Sequence, residues 1–80
     1  MYPSGSQIRA ARALLNISRD ELAARAGVSG RTIDNMEKDT RKPTEATLIA
    51  VMTALLAAGV DFDPGDPDTG RGPGVYFRRR

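Results

Sequence analysis

Residues 18–38 constrain the fold of this chain more than any other stretch, because they predict two short helices around a tight turn. Ser18 is placed to cap the first helix, and Glu21 three residues later predicts a capping box. Gly27 suits the left-handed conformation that ends a helix, because glycine has no Cβ to clash. Ser29 can cap the second helix, whose apolar residues recur at helical spacing. Two helices crossing at a glycine turn predict a helix-turn-helix, whose second helix can enter a DNA major groove.

The same stretch resembles a known family at specific positions. The run Glu-Leu-Ala-Ala-Arg-Ala-Gly-Val-Ser, residues 21–29, is similar to the lambda-repressor-like helix-turn-helix family of phage repressors, Cro proteins and bacterial regulators. Further matches are Thr32-Ile33, Glu37, the segment Arg41-Lys42-Pro43-Thr44, and Thr47-Leu48. The resemblance covers residues 6–60. It departs from the family at Arg19, where Gln is common, and at Gly30, where a larger polar residue is common.

Composition argues against an enzyme and against a metal or cofactor site. The 80 residues contain no cysteine and no histidine, so the commonest general base, the commonest metal ligand and all thiolate ligands are missing. The four aspartates between positions 61 and 68 lack EF-hand spacing, since prolines interrupt them and no closing glutamate follows. We therefore expect no catalytic residue, no bound metal and no cofactor.

Charge and hydropathy predict the compartment better than they predict the partner. The apolar run 48–60 is interrupted by Thr53 and is shorter than the 18 or so residues that a membrane span needs. Residues 1–6 lack the apolar stretch of a secretory signal. These features favour a cytoplasmic protein with no membrane contact. The net charge of +2 is weak evidence for nucleic acid by itself.

Capping signals predict a further helix before the helix-turn-helix. That helix starts near Ser4 or Ser6, because Ser4 and Gln7 have capping-box spacing. Asn16 tolerates the left-handed conformation and is expected to end it. Arg12 lies among the apolar positions of this helix, one turn after Ile8, which is unexpected for a charged residue.

The C-terminal third predicts one helix and a hairpin. Thr44 caps the helix, which is apolar nearly all round, and Gly59 is its expected stop. Strands are expected at 60–62 and 75–77, with a run of turn-forming residues between them. An isolated hairpin is marginal in water, so it should pack on the preceding helix or pair between subunits.

The predicted fold is mainly α: a compact four-helix lambda-repressor-like helix-turn-helix domain with a C-terminal β-hairpin or β-arm. We assign residues 1–59 to the DNA-binding domain. Residues 60–80 form the hairpin or arm, which is a candidate dimerisation element.

The second helix of the motif, residues 29–38, carries the residues expected to read bases. Arg31 and Asn35 lie one turn apart on its outer face, at base-contacting positions of the family that the chain resembles. Arg can bind guanine and Asn can bind adenine through two hydrogen bonds each, and Thr32 could touch a thymine methyl. Asp34 should project sideways or repel wrong sequences. An ordinary solvated helix face is the alternative for this surface.

Other residues are expected to contact the DNA backbone or to support the motif. The predicted backbone contacts are Arg19, Ser29, Gly30, Lys38, Arg41 and Lys42. Arg12 and Glu37 match positions that form an ion pair in the family, tying the first helix to the end of the recognition helix. Pairing would also explain two charges at half-buried positions, because a buried charge without a partner is costly.

The resemblance implies a sequence-specific transcriptional regulator that binds double-stranded DNA, acting as a repressor. A homodimer is expected, because one such module makes too few base contacts for high specificity. The predicted dimer interface consists of Leu56, Val60, Phe62, Val75 and Phe77. The alternative is a protein-interaction module, such as an antitoxin, that adds its C-terminal arm as a strand to a protein partner's sheet.

Overall fold

The computed structural model describes residues 2–78, so Met1, Arg79 and Arg80 of the predicted domains lie outside the described part. Its elements are α1 (Gly5–Leu15), α2 (Arg19–Ala26), α3 (Gly30–Lys38), α4 (Glu45–Ala57), β1 (Val60–Asp63) and β2 (Gly74–Phe77). Four helices and a two-stranded antiparallel hairpin confirm the predicted fold class. Within residues 2–78, no helix is long and apolar enough to cross a membrane.

Side-chain caps fix the start of α1, α3 and α4 where the sequence predicted them. The Ser4 hydroxyl accepts from the backbone N–H of Gln7 at 3.3 Å, and the Gln7 Oε1 accepts from the N–H of Ser4 at 2.9 Å. This reciprocal pair confirms the capping box of α1. Ser29 and Thr44 each accept from the backbone N–H three residues later.

The predicted capping box of α2 is wrong in one half. Ser18 does accept from the backbone N–H of Glu21 at 3.0 Å. The Glu21 carboxylate, however, accepts from the Arg25 guanidinium at 2.7 Å, one turn further along the helix. A charged donor at i+4 therefore competes with the backbone N–H that a capping box would use.

Left-handed residues end the first three helices. Asn16 has φ 55° and Gly27 has φ 73°, as the sequence predicted, and Asp39 ends α3 at φ 55°. Gly59, at φ 102°, then turns the chain out of α4 and into β1. The strand register pairs Val60 with Phe77 at one end of the hairpin and Asp63 with Gly74 at the other.

The hairpin packs on α1 as well as on α4, which the sequence did not predict. Val60 is completely buried in the core of its own chain. Phe62 and Val75 pack against that core from the same face of the hairpin. Val60 therefore has no surface to offer a second copy, which corrects its assignment to a dimer interface.

Gln7 joins α1 to the far end of the hairpin. Only 8% of this residue is exposed. Its Nε2 donates to the carbonyl of Asp63 and to the carbonyl of Gly74, both at 3.0 Å. Because its Oε1 is used in the α1 cap, each polar atom of the amide has a partner.

Gly5 allows α1 to approach the end of α3 closely. A Cβ on this buried glycine would lie 2.2 Å from the carbonyl oxygen of Met36 and 2.7 Å from that of Glu37. Backbone atoms cannot yield as a flexible side chain could. Glycine at position 5 thus sets the separation between α1 and the last turn of α3.

One core holds all these elements together. Its fully enclosed apolar residues come from every helix and from β1: Ile8, Ala11, Leu22, Ala23, Ile33, Met36, Val51, Leu55 and Val60. Every helix buries at least two of its residues, so the helix-turn-helix is rigidly attached to its support.

Candidate nucleic-acid interface

Helix α3 has one buried face and one solvent-facing face. The buried residues of α3 are Ile33, Met36 and Glu37. Arg31, the second residue of the helix, is exposed. The residues of α3 that are predicted to meet DNA are therefore not needed to fill the core. This division is what a recognition helix requires, because its outward side chains can contact bases without unpacking the domain.

An ion pair between the half-buried Arg12 and the buried Glu37 fixes the orientation of α3. Arg12 Nε lies 2.8 Å from Glu37 Oε2, and Arg12 Nη2 lies 3.1 Å from Glu37 Oε1. Arg12 Nη1 also donates to the carbonyl of Ile17 at 3.1 Å, in the link between α1 and α2. The Glu37 side chain is only 4% exposed. The hydrogen bonds that Arg12 donates to Glu37 raise the pKa of the Arg12 guanidinium above its ordinary value.

Arg31 lies where three surface clefts meet. The first, of about 250 Å³, runs between α3 and the start of α4. The other two open beside the start of α2 and beside the loop after α3. The first cleft is lined by Ser29, Arg31, Thr32, Asn35, Met36, Arg41, Lys42, Pro43, Thr44 and Thr47. The structure thus brings the predicted base readers beside three of the predicted backbone contacts, Ser29, Arg41 and Lys42.

Asn35 is held in place by Thr40, whose role was not predicted from the sequence. The Thr40 hydroxyl donates to Asn35 Oδ1 at 3.2 Å. The backbone N–H of Thr40 donates to the Asn35 carbonyl at 3.1 Å. The contact limits the Asn35 amide to fewer orientations and leaves its Nδ2 as a donor. The sequence signal that could have identified Thr40 is a polar residue just after the end of α3.

Ser29 and Thr32 interact with each other at the start of α3. Their hydroxyl oxygens lie 2.9 Å apart, and the Ser29 hydroxyl accepts from the backbone N–H of Thr32 at 3.1 Å. Gly30 follows the cap, and a Cβ there would lie 2.6 Å from Asp20 Oδ1. Because that neighbour is the end of a flexible side chain, the contact alone does not require glycine at this position.

Two predicted backbone contacts, Arg19 and Lys38, meet at Asp34. Arg19 Nη1 pairs with Asp34 Oδ1, and Lys38 Nζ lies 3.2 Å from Asp34 Oδ2. The hydrogen bond from Lys38, reinforced by the charge of Arg19, holds the pKa of Asp34 below its ordinary range. Asp34 therefore binds two cations of this surface, a role that was not predicted from the sequence.

Arg41 and Lys42 are exposed in the loop after α3, beside the capped start of α4. The N-terminus of α4 carries the positive end of the helix dipole. Thr44 caps it, and the Thr44 hydroxyl donates to the Thr47 hydroxyl at 2.9 Å. Two cations and a helix N-terminus thus border one cleft, an arrangement that favours an anion.

The remaining predicted interface residues differ in exposure. Phe77 is 55% exposed, while Leu56, Phe62 and Val75 are half-buried. The side chain of Arg78 donates to the carbonyl of Leu56, and its backbone N–H donates to the carbonyl of Gly59 at 2.8 Å. The end of β2 is thereby fastened to the end of α4, with Phe77 exposed beside it.

Comparisons with known proteins identify the class to which this arrangement belongs. The helix-turn-helix family model matches residues 8–55. The chain belongs to the lambda-repressor-like helix-turn-helix family of DNA-binding regulators, which confirms the resemblance.

One similar structure is the solution structure of the DNA-binding domain of the P22 C2 repressor, determined by nuclear magnetic resonance and compared with that of the 434 repressor. It shares 35% sequence identity with this chain at a TM-score of 0.61. The match covers 65% of this chain and 68% of that domain. No curated protein sequence matches the chain.

Proposed function

We propose that this protein is a sequence-specific transcriptional regulator that binds double-stranded DNA as a homodimer and represses by occupying its site. Helix α3 would lie in the major groove, with Arg31, Asn35 and Thr32 toward the bases. The observation that carries the proposal is the position of Arg31. It is exposed on a helix whose other face is locked by the Arg12–Glu37 pair, and it borders the cleft that also holds Arg41 and Lys42.

Backbone contacts in this proposal come from both sides of α3. The loop residues Arg41 and Lys42 and the cap Ser29 border one cleft and would face one stretch of phosphates. Gly30 and Arg19 border the cleft beside α2, and together with Lys38 they would contact phosphates on the other side. Such contacts set the register of the protein on the duplex but carry no sequence information, whereas the α3 side chains supply the choice of bases.

The test separates base readers from backbone contacts. A binding site is first selected from random duplex DNA, and each variant is then titrated with salt on that site and on a scrambled duplex. Arg31→Ala should weaken binding to the selected site by about 1–3 kcal/mol and relax the preference at one base pair. Its effect on scrambled DNA should be smaller.

The matched control is Lys42→Ala, which removes one positive charge from the neighbouring loop. Lys42→Ala should weaken binding to both duplexes about equally. It should also reduce the slope of log affinity against log salt by about one unit. If Arg31→Ala instead lowers both affinities in parallel and flattens the slope, Arg31 is a phosphate contact. Failure to select any preferred sequence would refute the proposed function itself.

The proposed dimer interface centres on the end of α4 and on β2 and includes Leu56 and Phe77, with the half-buried Phe62 and Val75 on the same face of the hairpin as Phe77. The exposed apolar side chain of Phe77, next to the half-buried Leu56, favours a second copy. Phe77→Glu should give a monomer in sedimentation and weaken binding to the selected site. Leu14→Glu, at a 40% exposed residue of α1, is the matched control. A Phe77→Glu dimer with full affinity would disprove this interface.

The hairpin is paired within one chain and contributes Val60 to the core. This observation supports the regulator over a module that donates its C-terminal arm to a protein partner's sheet.

A further inference from the structure

The feature that the proposed function leaves unexplained is an acidic residue in the middle of the recognition helix. Asp34 lies between Arg31 and Asn35, the two predicted base readers. DNA is a polyanion, so a carboxylate on this surface opposes binding unless it has another task. In this structure the Asp34 carboxylate contacts Arg19 with one oxygen and Lys38 with the other.

The two partners come from different parts of the motif. Arg19 is the first residue of α2, and Lys38 is the last residue of α3. Both were predicted as phosphate contacts, and both are well exposed, at 48% and 56% of their side chains. A carboxylate that bridges a guanidinium and an ammonium occupies the position that a DNA phosphate would take between the same two groups.

We propose, on the basis of the proposed DNA-binding function, that Asp34 is an internal competitor of the DNA backbone that withholds Arg19 and Lys38 from phosphates. Binding to DNA then requires these two cations to leave Asp34 or to share it. The contact limits affinity for DNA of any sequence. It thereby makes binding depend more strongly on the base contacts of Arg31 and Asn35.

The surroundings support an exchangeable contact rather than a structural one. Asp34 is 30% exposed, and it borders an open cleft with Arg19, Arg31 and a second carboxylate, Asp20. A phosphate can reach this cleft without unfolding anything. An aspartate is already ionised at neutral pH, and the hydrogen bond from Lys38 lowers the pKa of Asp34 further, so the carboxylate competes throughout the physiological range.

The test compares Asp34→Asn with wild type on a short duplex of mixed random sequence, by fluorescence anisotropy across a salt series. Asp34→Asn should bind about 3- to 10-fold more tightly, because two surface ion pairs no longer oppose the phosphates. The slope of log affinity against log salt should steepen by about one unit or more, since more counterions are released.

Asp39→Asn is the matched control. It removes the same charge at the end of the same helix, in a left-handed conformation that Asn tolerates, and Asp39 makes no ion pair with the residues from 2 to 78. Any general effect of net charge appears in both variants. The proposal requires the Asp34→Asn protein to bind DNA more tightly than the Asp39→Asn protein, and its log affinity to fall more steeply with log salt.

A double substitution tests the route through Arg19. In the wild-type background, Arg19→Gln should cost little affinity, because Asp34 already occupies the guanidinium. In the Asp34→Asn background, the same substitution should cost clearly more affinity. This non-additivity would not arise if Asp34 acted only through long-range repulsion. Additive effects of the two substitutions would therefore overturn the proposal.

Two other results would also overturn it. Weaker binding by Asp34→Asn would mean that Asp34 positions Arg19 for a phosphate, and equality with Asp39→Asn would mean an ordinary solvated pair. Both differ from failure of the DNA binding on which this inference rests, in which wild type itself would show no salt-dependent binding to duplex DNA. In that last case the competitor proposal falls as well.

Discussion

Two carboxylates of α3, three positions apart, form ion pairs of opposite character. Glu37 is 4% exposed and receives two hydrogen bonds from one guanidinium, while Asp34 is 30% exposed and is shared by two cations. The partners of Asp34 can turn toward water at little cost. Arg12 cannot leave Glu37 as cheaply, since a carboxylate left alone in a low-dielectric interior is expensive. Burial therefore decides which pair is structural and which can be exchanged.

The largest expected effect comes from breaking the buried pair. Arg12→Ala should lower the free energy of unfolding by about 3–5 kcal/mol, because Glu37 would remain buried without its partner. The double variant Arg12→Met, Glu37→Leu should lose much less, since no uncompensated charge remains. Urea denaturation measures both. If both variants lose little free energy of unfolding, the ion pair does not stabilise the fold.

A smaller loss should follow from breaking a buried but neutral network. Gln7→Leu removes two donors and leaves the carbonyls of Asp63 and Gly74 without them, at an expected cost of about 1–3 kcal/mol in unfolding free energy. Ser4→Ala, which disturbs only the cap, is the control and should cost about 1 kcal/mol. Hydrogen exchange should show faster opening of the hairpin in Gln7→Leu. Unchanged hairpin exchange would show that Gln7 does not hold it.

The smallest effect on stability belongs to the exposed pair. Asp34→Asn should shift the thermal midpoint by no more than about 3 °C, because its partners remain solvated. The measurement is thermal unfolding followed by circular dichroism, with Asp39→Asn as the comparison. A midpoint lowered as far as that of Arg12→Ala would contradict the division between a structural and an exchangeable pair.

Local signals predicted the helices well because caps and turns act over three or four residues. Ser4, Asn16, Gly27 and Thr44 each perform the task that their type and position indicated. The failure at Glu21 is equally local. Two acceptable partners lay within reach, and the sequence alone did not rank the Arg25 guanidinium above the backbone N–H.

The missed features all depend on distant or competing partners. Gln7 was expected only to complete a cap, because its other partners lie 56 and 67 residues away in sequence. The packing of the hairpin on α1 was missed for the same reason. In the candidate interface, Arg19 and Lys38 were recognised as cations. Their capture by Asp34 depends on how α2 crosses α3, which periodicity does not specify.

The long reach of Gln7 has a consequence for the order in which the protein matures. During synthesis α1 emerges before the hairpin, and the two carbonyls that bind the Gln7 amide belong to residues made 56 and 67 positions later. Contacts between such distant residues close large loops and slow folding. Until Gly74 is available, the Gln7 amide lacks one of its two acceptors, so the chain cannot secure the hairpin over α1.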